Sequence, residues 1–174
     1  MLSRLMGPAS IVRVQSWDDR SSPPPALDRI LGTPWPREVG RVATGLADAL
    51  CVGPTQWLVI RAQAGEGELC DGLGRALLGS SFRATDVSQA FARIEIEGEG
   101  TPEVLRAGCS LDLHPDRFPV GRCAGTRFAS VPIILCRRAP WTFEAIVAAG
   151  YREYLLTWIT DPRGPPPPST ASPG

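Results

Sequence analysis

The segment Cys109–Ala129 constrains the fold more than any other stretch of this sequence. It contains two prolines and two glycines, which interrupt regular structure and predict a loop. It also carries four large apolar side chains, which is unusual for a solvated loop: Leu111, Leu113, Phe118 and Val120. Such a loop has to pack against a surface. Either it covers this chain's own core or it is ordered against a partner chain, and the sequence favours the partner by a small margin.

We predict that this loop forms an interface through six side chains: Leu111, Asp112, Leu113, His114, Phe118 and Arg122. His114 is the only histidine of the chain and lies beside a proline and near an aspartate. The motif supplies neither a second metal ligand nor a nucleophile. We therefore interpret His114 as a group that holds the loop through hydrogen bonds, in preference to a catalytic or metal-binding residue.

The length and charge of the chain limit its class. A sequence of 174 residues with 43% hydrophobic content suits one domain with its own core. Eighteen basic and eighteen acidic side chains cancel, which removes the electrostatic basis for a nucleic-acid or anionic membrane partner. No apolar run is long enough for a membrane span, and the first ten residues lack the apolar core of a signal peptide. We expect a cytoplasmic protein.

The five cysteines predict buried, reduced thiols. Their number is odd and no C-x-x-C pair occurs, so neither a disulfide framework nor a zinc site is indicated. Cys123 follows Gly121 and Arg122, which could lower the pKa of its thiol. Without a recognisable histidine or asparagine pattern, nucleophilic catalysis by Cys123 is the weaker interpretation.

The two ends of the chain are predicted to lie outside the core. Residues 1–40 are expected to form a partly irregular N-terminal arm, because Pro23–Pro25 would prevent a helix or central strand there. Trp17 could anchor this arm on a neighbouring surface, and a mobile terminus explains the sequence equally well. Residues 163–174 are proline-rich and predict a disordered tail. Residues 41–162 are left as one domain.

The patterns between these ends predict an α+β fold. Apolar and polar residues alternate in Phe91–Glu97, which is typical of a strand with one face in water. Further strands are predicted at 49–52, 56–62, 82–87, 126–135 and 141–147, and helices at 66–78, 101–108 and 151–159. This order of elements predicts a mixed or antiparallel sheet with helices on one face.

Motifs that would name a reaction do not occur in the sequence. It has no glycine-rich dinucleotide or phosphate loop, no zinc-protease motif, no nucleophile elbow and no calcium loop. Asp112 with His114 could form an orienting pair, and Asp86 with Ser88 could line a pocket, but we favour ordinary turn or cap chemistry for both pairs. We therefore assign no catalytic, cofactor-binding or metal-binding residue.

The sequence contains three patterns in a fixed order. They are G-P-x-x-W-L at Gly53–Leu58, G-C-x-L-D-L-x-P at Gly108–Pro115 and F-P-x-G-x-C-A-x-T at Phe118–Thr126. Together with Asp86–Ser88, they resemble the gamma subunit of heterotetrameric sarcosine oxidase. The similarity runs from about Arg41 to Asp161. That family is related in fold to the folate-binding aminomethyltransferase of the glycine cleavage system.

The resemblance implies a subunit that is not catalytic by itself. In the family, the complex oxidatively demethylates sarcosine to glycine, reduces oxygen to hydrogen peroxide, and releases formaldehyde or passes the one-carbon unit to tetrahydrofolate. The resemblance further implies alpha, beta and delta subunits as partners. It places FAD, FMN, NAD, tetrahydrofolate and zinc on those subunits, so that this chain binds no cofactor.

Two alternatives stay open. A sister oxidase acting on another N-methyl amine would use the same kind of subunit, and the stretch Ala148–Gly150 departs from the basic, serine-bearing pattern of the family. A stand-alone folate-binding one-carbon transferase is the other alternative. The transferase needs a larger chain around the folate, which makes it the less favoured interpretation.

Overall fold

The computed structural model describes residues 1–20, 22–62, 65 and 67–161, so the predicted tail at 163–174 lies outside the described residues. Within the described part there are ten strands and four α-helices. The strands are β1 (Leu2–Leu5), β2 (Ala9–Ser16), β3 (Val42–Ala43), β4 (Asp48–Gly53), β5 (Gln56–Ala62), β6 (Phe82–Asp86), β7 (Phe91–Glu97), β8 (Cys123–Phe128), β9 (Val131–Ala139) and β10 (Thr142–Ala148). The helices are α1 (Ala26–Leu31), α2 (Glu68–Ala76), α3 (Thr101–Gly108) and α4 (Arg152–Thr160).

The strands form two five-stranded sheets. The first has the order β1-β7-β10-β9-β8 and the second the order β3-β4-β5-β2-β6. Neighbouring strands pair antiparallel in both sheets. The α+β class with an antiparallel sheet is therefore confirmed, and the strands divide into two sheets.

The side chains of the interior strands alternate between two cores. In β5, Trp57 and Val59 pack in the core beneath α1 and α2, whereas Leu58 and Ile60 point to the other sheet. In β10, Phe143 packs in the core beneath α3 and α4. The layers are thus α1 and α2, the second sheet, the first sheet, then α3 and α4. Helices cover one face of each sheet, as predicted, and the other faces of the two sheets meet.

The predicted N-terminal arm is wrong for residues 2–16. Strand β2 is central in the second sheet, where it pairs with β5 on one side and β6 on the other. Strand β1 pairs with β7 in the first sheet. Pro23–Pro25 follow β2 and lead into α1, where Pro25 is the residue before the helix. A proline disrupts pairing at its own position, so these prolines have no effect on a strand that has already ended.

A single strand predicted at 126–135 is in fact parts of β8 and β9. The two strands are joined by a tight turn in which Ala129 and Ser130 have φ of 45° and 73°. Alanine is not a typical turn residue and serine is a weak one, so the sequence pattern suggested a continuous strand. Pro132 lies in β9 just before its pairing with β10 begins at Ile133, so it costs no hydrogen bond there.

The face of β7 predicted to lie in water is covered in part, because Phe91 at its start packs against the core between the sheets. Arg93 donates from Nε to Glu144 of β10 at 2.5 Å, and Arg138 of β9 donates from Nε to the same carboxylate at 2.6 Å. Arg138 also forms an ion pair of 2.9 Å with Asp48 of β4, in the other sheet. Among the polar residues of the alternating pattern, Arg93 therefore takes part in an ion network that reaches the other sheet. Glu95 pairs with Arg4 of β1 in its own sheet, and Glu97 is exposed.

Candidate interaction site

The loop between α3 and β8 packs on this chain's own core. Leu113 is 3% exposed and Phe118 is 4% exposed, and both belong to the core beneath α3 and α4. Leu111 is half-buried against the same core. The isolated chain thus buries Leu113 and Phe118 in its own core, although the sequence slightly favoured a partner surface for this loop. Trp35 is also buried, beside Trp57, whereas Trp17 is 70% exposed.

A buried arginine holds this loop in place. Arg137 of β9 is 3% exposed, and its Nη1 donates to the carbonyl oxygens of Leu113 at 3.3 Å and Phe118 at 3.0 Å. Its Nη2 donates to the carbonyl oxygen of Pro140 at 2.6 Å. The guanidinium carbon lies 5.2 Å from the centre of the Phe143 ring, which adds a cation–π contact.

Sequence reasoning missed Arg137, although a signal was available. Residues alternate along β9, so Ile133, Leu135 and Arg137 share the face that packs in the core beneath α3 and α4. An arginine in register with two core residues at the end of a strand indicates a buried cation. Such a cation needs hydrogen-bond acceptors nearby, and here the loop backbone supplies them.

Asp112 and His114 shape the turn of the loop. The Oδ1 of Asp112 accepts a hydrogen bond from the N–H of His114 at 3.0 Å, and Nδ1 of His114 accepts one from the N–H of Asp116 at 3.4 Å. The carbonyl oxygen of His114 accepts from the N–H groups of Arg117 and Phe118. The imidazole itself is exposed. His114 therefore takes part in the hydrogen bonds of the loop.

Arg122 lies at a junction between the two sheets. The segment Gly121–Cys123 pairs with Gly40–Val42 through backbone hydrogen bonds, including Cys123 N–H to the Gly40 oxygen at 2.7 Å. Arg122 adds an ion pair of 2.5 Å with Glu38. The hydrogen bond from Arg122, with its positive charge and that of Arg41, lowers the pKa of Glu38. Gly40 has φ of 85°, and a Cβ there would lie 3.0 Å from the Cys123 oxygen, so glycine is required at this close approach.

Three buried cysteines lie near this junction. Cys123 and Cys136 are directly opposite each other on β8 and β9 and belong to the core between the sheets, whereas Cys51 belongs to the core beneath α1 and α2. The hydrogen bond between Cys136 and Cys123 lowers the pKa of Cys123 and raises that of Cys136. Burial raises the pKa of Cys51. Each of these thiols is less than a tenth exposed, so none is presented to a substrate.

A cavity of about 290 Å³ opens between α3, the loop and the turn that joins β9 to β10. Its lining includes Asp112, Leu113 and His114, three of the six predicted interface residues. The remaining lining residues are Pro102, Glu103, Arg106, Pro115, Arg137 and Trp141. The structure does not bring Leu111, Phe118 or Arg122 to this cavity. The first two pack against the core, and Arg122 is at the junction between the sheets.

The described ranges contain neither a metal-ligand cluster nor a membrane-spanning helix. Among residues 1–20, 22–62, 65 and 67–161, no three His, Cys, Asp or Glu side chains come together as a metal site would require. In the same ranges, the helices are too short or too polar to cross a bilayer.

The fold has relatives among solved structures. A chain of the heterotetrameric sarcosine oxidase from Corynebacterium sp. U-96, solved in complex with pyrrole 2-carboxylate, matches with a TM-score of 0.81 and 26% identity, over 90% of this chain and 80% of that chain. The aminomethyltransferase T of the glycine cleavage system from Bartonella henselae matches with a TM-score of 0.59 and 12% identity, over 87% of this chain and 43% of that one. The second likeness shows the fold alone.

Sequence comparisons agree with the first of these structures. Sarcosine oxidase subunit gamma from Arthrobacter sp. is 35% identical over 139 residues, and that from Corynebacterium sp. strain P-1 is 31% identical over 138 residues. Each alignment covers 78% of this chain and 67% of the relative. The model of the sarcosine oxidase, gamma subunit family matches residues 19–164. The chain therefore belongs to the sarcosine oxidase gamma subunit family.

Proposed function

We propose that this chain is the gamma subunit of a heterotetrameric sarcosine oxidase and works by assembly with the other subunits. The observation that carries the proposal is the family match over residues 19–164. The similarity of the whole fold to a chain of a heterotetrameric sarcosine oxidase supports it. The partners are the alpha, beta and delta subunits, and the complex works in the cytoplasm.

The complex, in this proposal, converts sarcosine, oxygen and water to glycine, formaldehyde and hydrogen peroxide, and passes the one-carbon unit to tetrahydrofolate when folate is present. The chemistry of FAD, FMN, NAD, folate and zinc belongs to the partner subunits. This chain contributes a rigid scaffold with a surface on which the other subunits assemble.

The interior of the chain supports a structural role. Its buried charges are used within the fold, since Glu144 pairs with Arg93 and Arg138, and Arg137 donates to the loop backbone. Its buried thiols lie in the three cores, with Cys123 and Cys136 between the sheets, Cys51 beneath α1 and α2, and Cys109 beneath α3 and α4. A catalytic acid, base or nucleophile has to reach a bound substrate, whereas these groups face other parts of the same chain.

Co-expression with the three partner subunits tests the proposal. We expect the chain to co-elute with them in one peak of size-exclusion chromatography, and that peak to consume oxygen when sarcosine is added. The chain expressed alone should show no flavin absorption and no oxygen uptake. A chain that elutes apart from the other subunits at micromolar concentration would overturn the proposal.

A further inference from the structure

Arg137 is a buried cation with no counter-charge among the described residues. It is 3% exposed, and no carboxylate of that part of the chain forms an ion pair with it. The half-buried cations Arg93 and Arg138, by contrast, share the carboxylate of Glu144. Burying a charge without a partner is expensive, and the backbone carbonyls around Arg137 offset that cost only through their dipoles.

Some N–H groups of the Arg137 guanidinium have no hydrogen-bond acceptor among the described residues. Its Nη1 donates twice and its Nη2 once, to Leu113, Phe118 and Pro140. An arginine has five N–H groups, so one N–H of Nη2 and that of Nε are left, and Nε is buried without a hydrogen-bond partner in the described part of the chain. Adjacent donors on Nε and Nη2 are the edge of a guanidinium that a carboxylate accepts with both oxygens.

The cavity beside Arg137 has the character of a contact surface. Its wall combines apolar side chains, Leu113, Pro102 and Trp141, with the exposed pair of Arg106 and Glu103. Trp141 is 47% exposed, and tryptophan is enriched at the centres of protein interfaces. A carboxylate with a short apolar stem would pair with Arg137 through its oxygens and contact the apolar side chains of this wall through its stem.

The charges around the cavity favour a carboxylate carried by a protein over one free in solution. Arg106 and Arg137 are balanced by Glu103 and Asp112, so with His114 neutral the lining has no net positive charge. Such a lining does not concentrate small anions by long-range attraction. A side chain that is positioned by an interface around it needs no such attraction.

We propose that an acidic side chain of a partner subunit enters this cavity on assembly and pairs with Arg137. The proposal rests on the proposed function, because it requires partner subunits. It assigns Arg137 two connected roles: the residue orders the loop through the carbonyl oxygens of Leu113 and Phe118, and it presents its remaining donors to the partner.

The test measures how tightly the isolated chain binds the complex of the other three subunits. Arg106→Glu places a negative charge on the cavity wall without removing any hydrogen bond of Arg137. Arg75→Glu makes the same charge change on an exposed residue of α2, away from the cavity. We expect Arg106→Glu to weaken binding at least about tenfold relative to Arg75→Glu. The melting temperatures of the two isolated variants should be alike.

A second variant addresses Arg137 directly. Arg137→Lys keeps the charge and loses the two-pronged donor edge, so the folded variant should also bind the other subunits at least about tenfold more weakly. If Arg137 only orders the loop, the variant will melt earlier while its folded fraction binds with wild-type affinity, and the proposal is overturned. Unchanged binding by Arg106→Glu overturns it as well.

Two outcomes separate this proposal from others. If the wild-type chain does not bind the other subunits at all, the proposed function fails, whereas wild-type binding with no effect of the cavity variants defeats only the acidic-side-chain proposal. Sodium acetate added to the isolated chain should leave its melting temperature unchanged. If acetate raises the melting temperature of the wild type but not of Arg106→Glu, the cavity binds free carboxylates and the partner assignment is wrong.

Discussion

Glu144 is the buried carboxylate at the centre of the ion network between the two sheets. It is 1% exposed, and it accepts hydrogen bonds from Arg93 and Arg138 on the two strands that flank β10. Through Arg138 it is connected to Asp48 in the other sheet. Removing its charge leaves two guanidinium groups with one remaining carboxylate between them.

We therefore expect Glu144→Gln to destabilise the chain by about 3–5 kcal/mol, the usual cost of breaking a buried ion pair from one side. Urea denaturation followed by circular dichroism measures this. The control is Glu103→Gln, which removes an exposed pair with Arg106 and should cost about 0–1 kcal/mol. Similar midpoints for the two variants would show that the network between the sheets adds little to stability.

The ion pair between Glu38 and Arg122 predicts that the stability of the folded chain depends on pH. The hydrogen bond from Arg122 lowers its pKa in the folded chain below the ordinary value of 4.5. A carboxylate with a lowered pKa stabilises the folded state above its unfolded pKa, and that contribution is lost as the pH falls through the folded pKa.

The wild type should thus be more stable than Glu38→Gln at pH 7, and the difference should shrink as the pH falls below about 4.5. Thermal melts of both proteins between neutral and acid pH measure it. Glu153→Gln is the control, since it removes an exposed carboxylate that pairs only with the neighbouring Arg152 on α4. A difference between wild type and Glu38→Gln that is independent of pH would contradict the role given to the ion pair with Arg122.

Among the elements, the loop between α3 and β8 packs on the chain's own core, whereas the sequence slightly favoured a partner surface for it. Phe118 lies in the core beneath α3 and α4, and its backbone is held by Arg137. Val120, two residues later, is 49% exposed. The same loop therefore contains buried apolar side chains that support the fold, such as Phe118, and an exposed one, Val120, that is free to meet a partner.

Phe118→Ala should destabilise the isolated chain by about 3–5 kcal/mol, because it removes a large buried ring. Val120→Ala, the matched control, should leave the free energy of unfolding nearly unchanged. Denaturant melts of the isolated variants distinguish them. Equal stability of the two would mean that the loop does not pack as the structure has it, and that Phe118 belongs to an interface instead.

The sequence predicted elements well where periodicity and local signals agree. Strand Phe91–Glu97 and helix Thr101–Gly108 were predicted with the residue bounds that the structure shows. A glycine at the end of a helix commonly adopts positive φ, but Gly108 does not. Glycine is required there because a Cβ would lie 2.8 Å from the ring of Phe128. Contacts of this kind join residues distant in sequence, which no local pattern reports.

The candidate site was predictable only in part for the same reason. The turn residues Asp112 and His114 could be recognised as neighbours in the cavity because they are close in sequence. Arg137 reaches the cavity from β9 and is 24 residues from Leu113 in sequence. Its hydrogen bonds therefore depend on how β9 passes beneath the loop. Likewise, Arg122 and Cys123 stand in a pattern of the family, and the structure shows why: they join two sheets through Gly40 and Arg41.

For the molecule as a whole, the first sixteen residues connect both sheets. Strand β1 is an edge strand of the first sheet, paired with β7 alone. Strand β2 is interior to the second sheet, and Ile11, Val12 and Val14 are among its buried residues. Without β2, strands β5 and β6 would lose their common neighbour, and the cores on both faces of that sheet would open to water.

Two truncations follow from this arrangement. Deleting residues 1–16 should abolish folding, because it removes an interior strand together with its hydrogen bonds and buried side chains. Deleting residues 1–7 removes only the edge strand β1 and should give a folded chain of lower stability. Soluble yield, circular dichroism and thermal melts of the isolated truncations measure the difference. An arm that served only to reach a partner would give the opposite pattern: both truncations would fold and melt like the full chain, and each would lose affinity for the other subunits. If the chain without residues 1–16 folds and melts cooperatively, these residues are an arm after all, and the central position of β2 is contradicted.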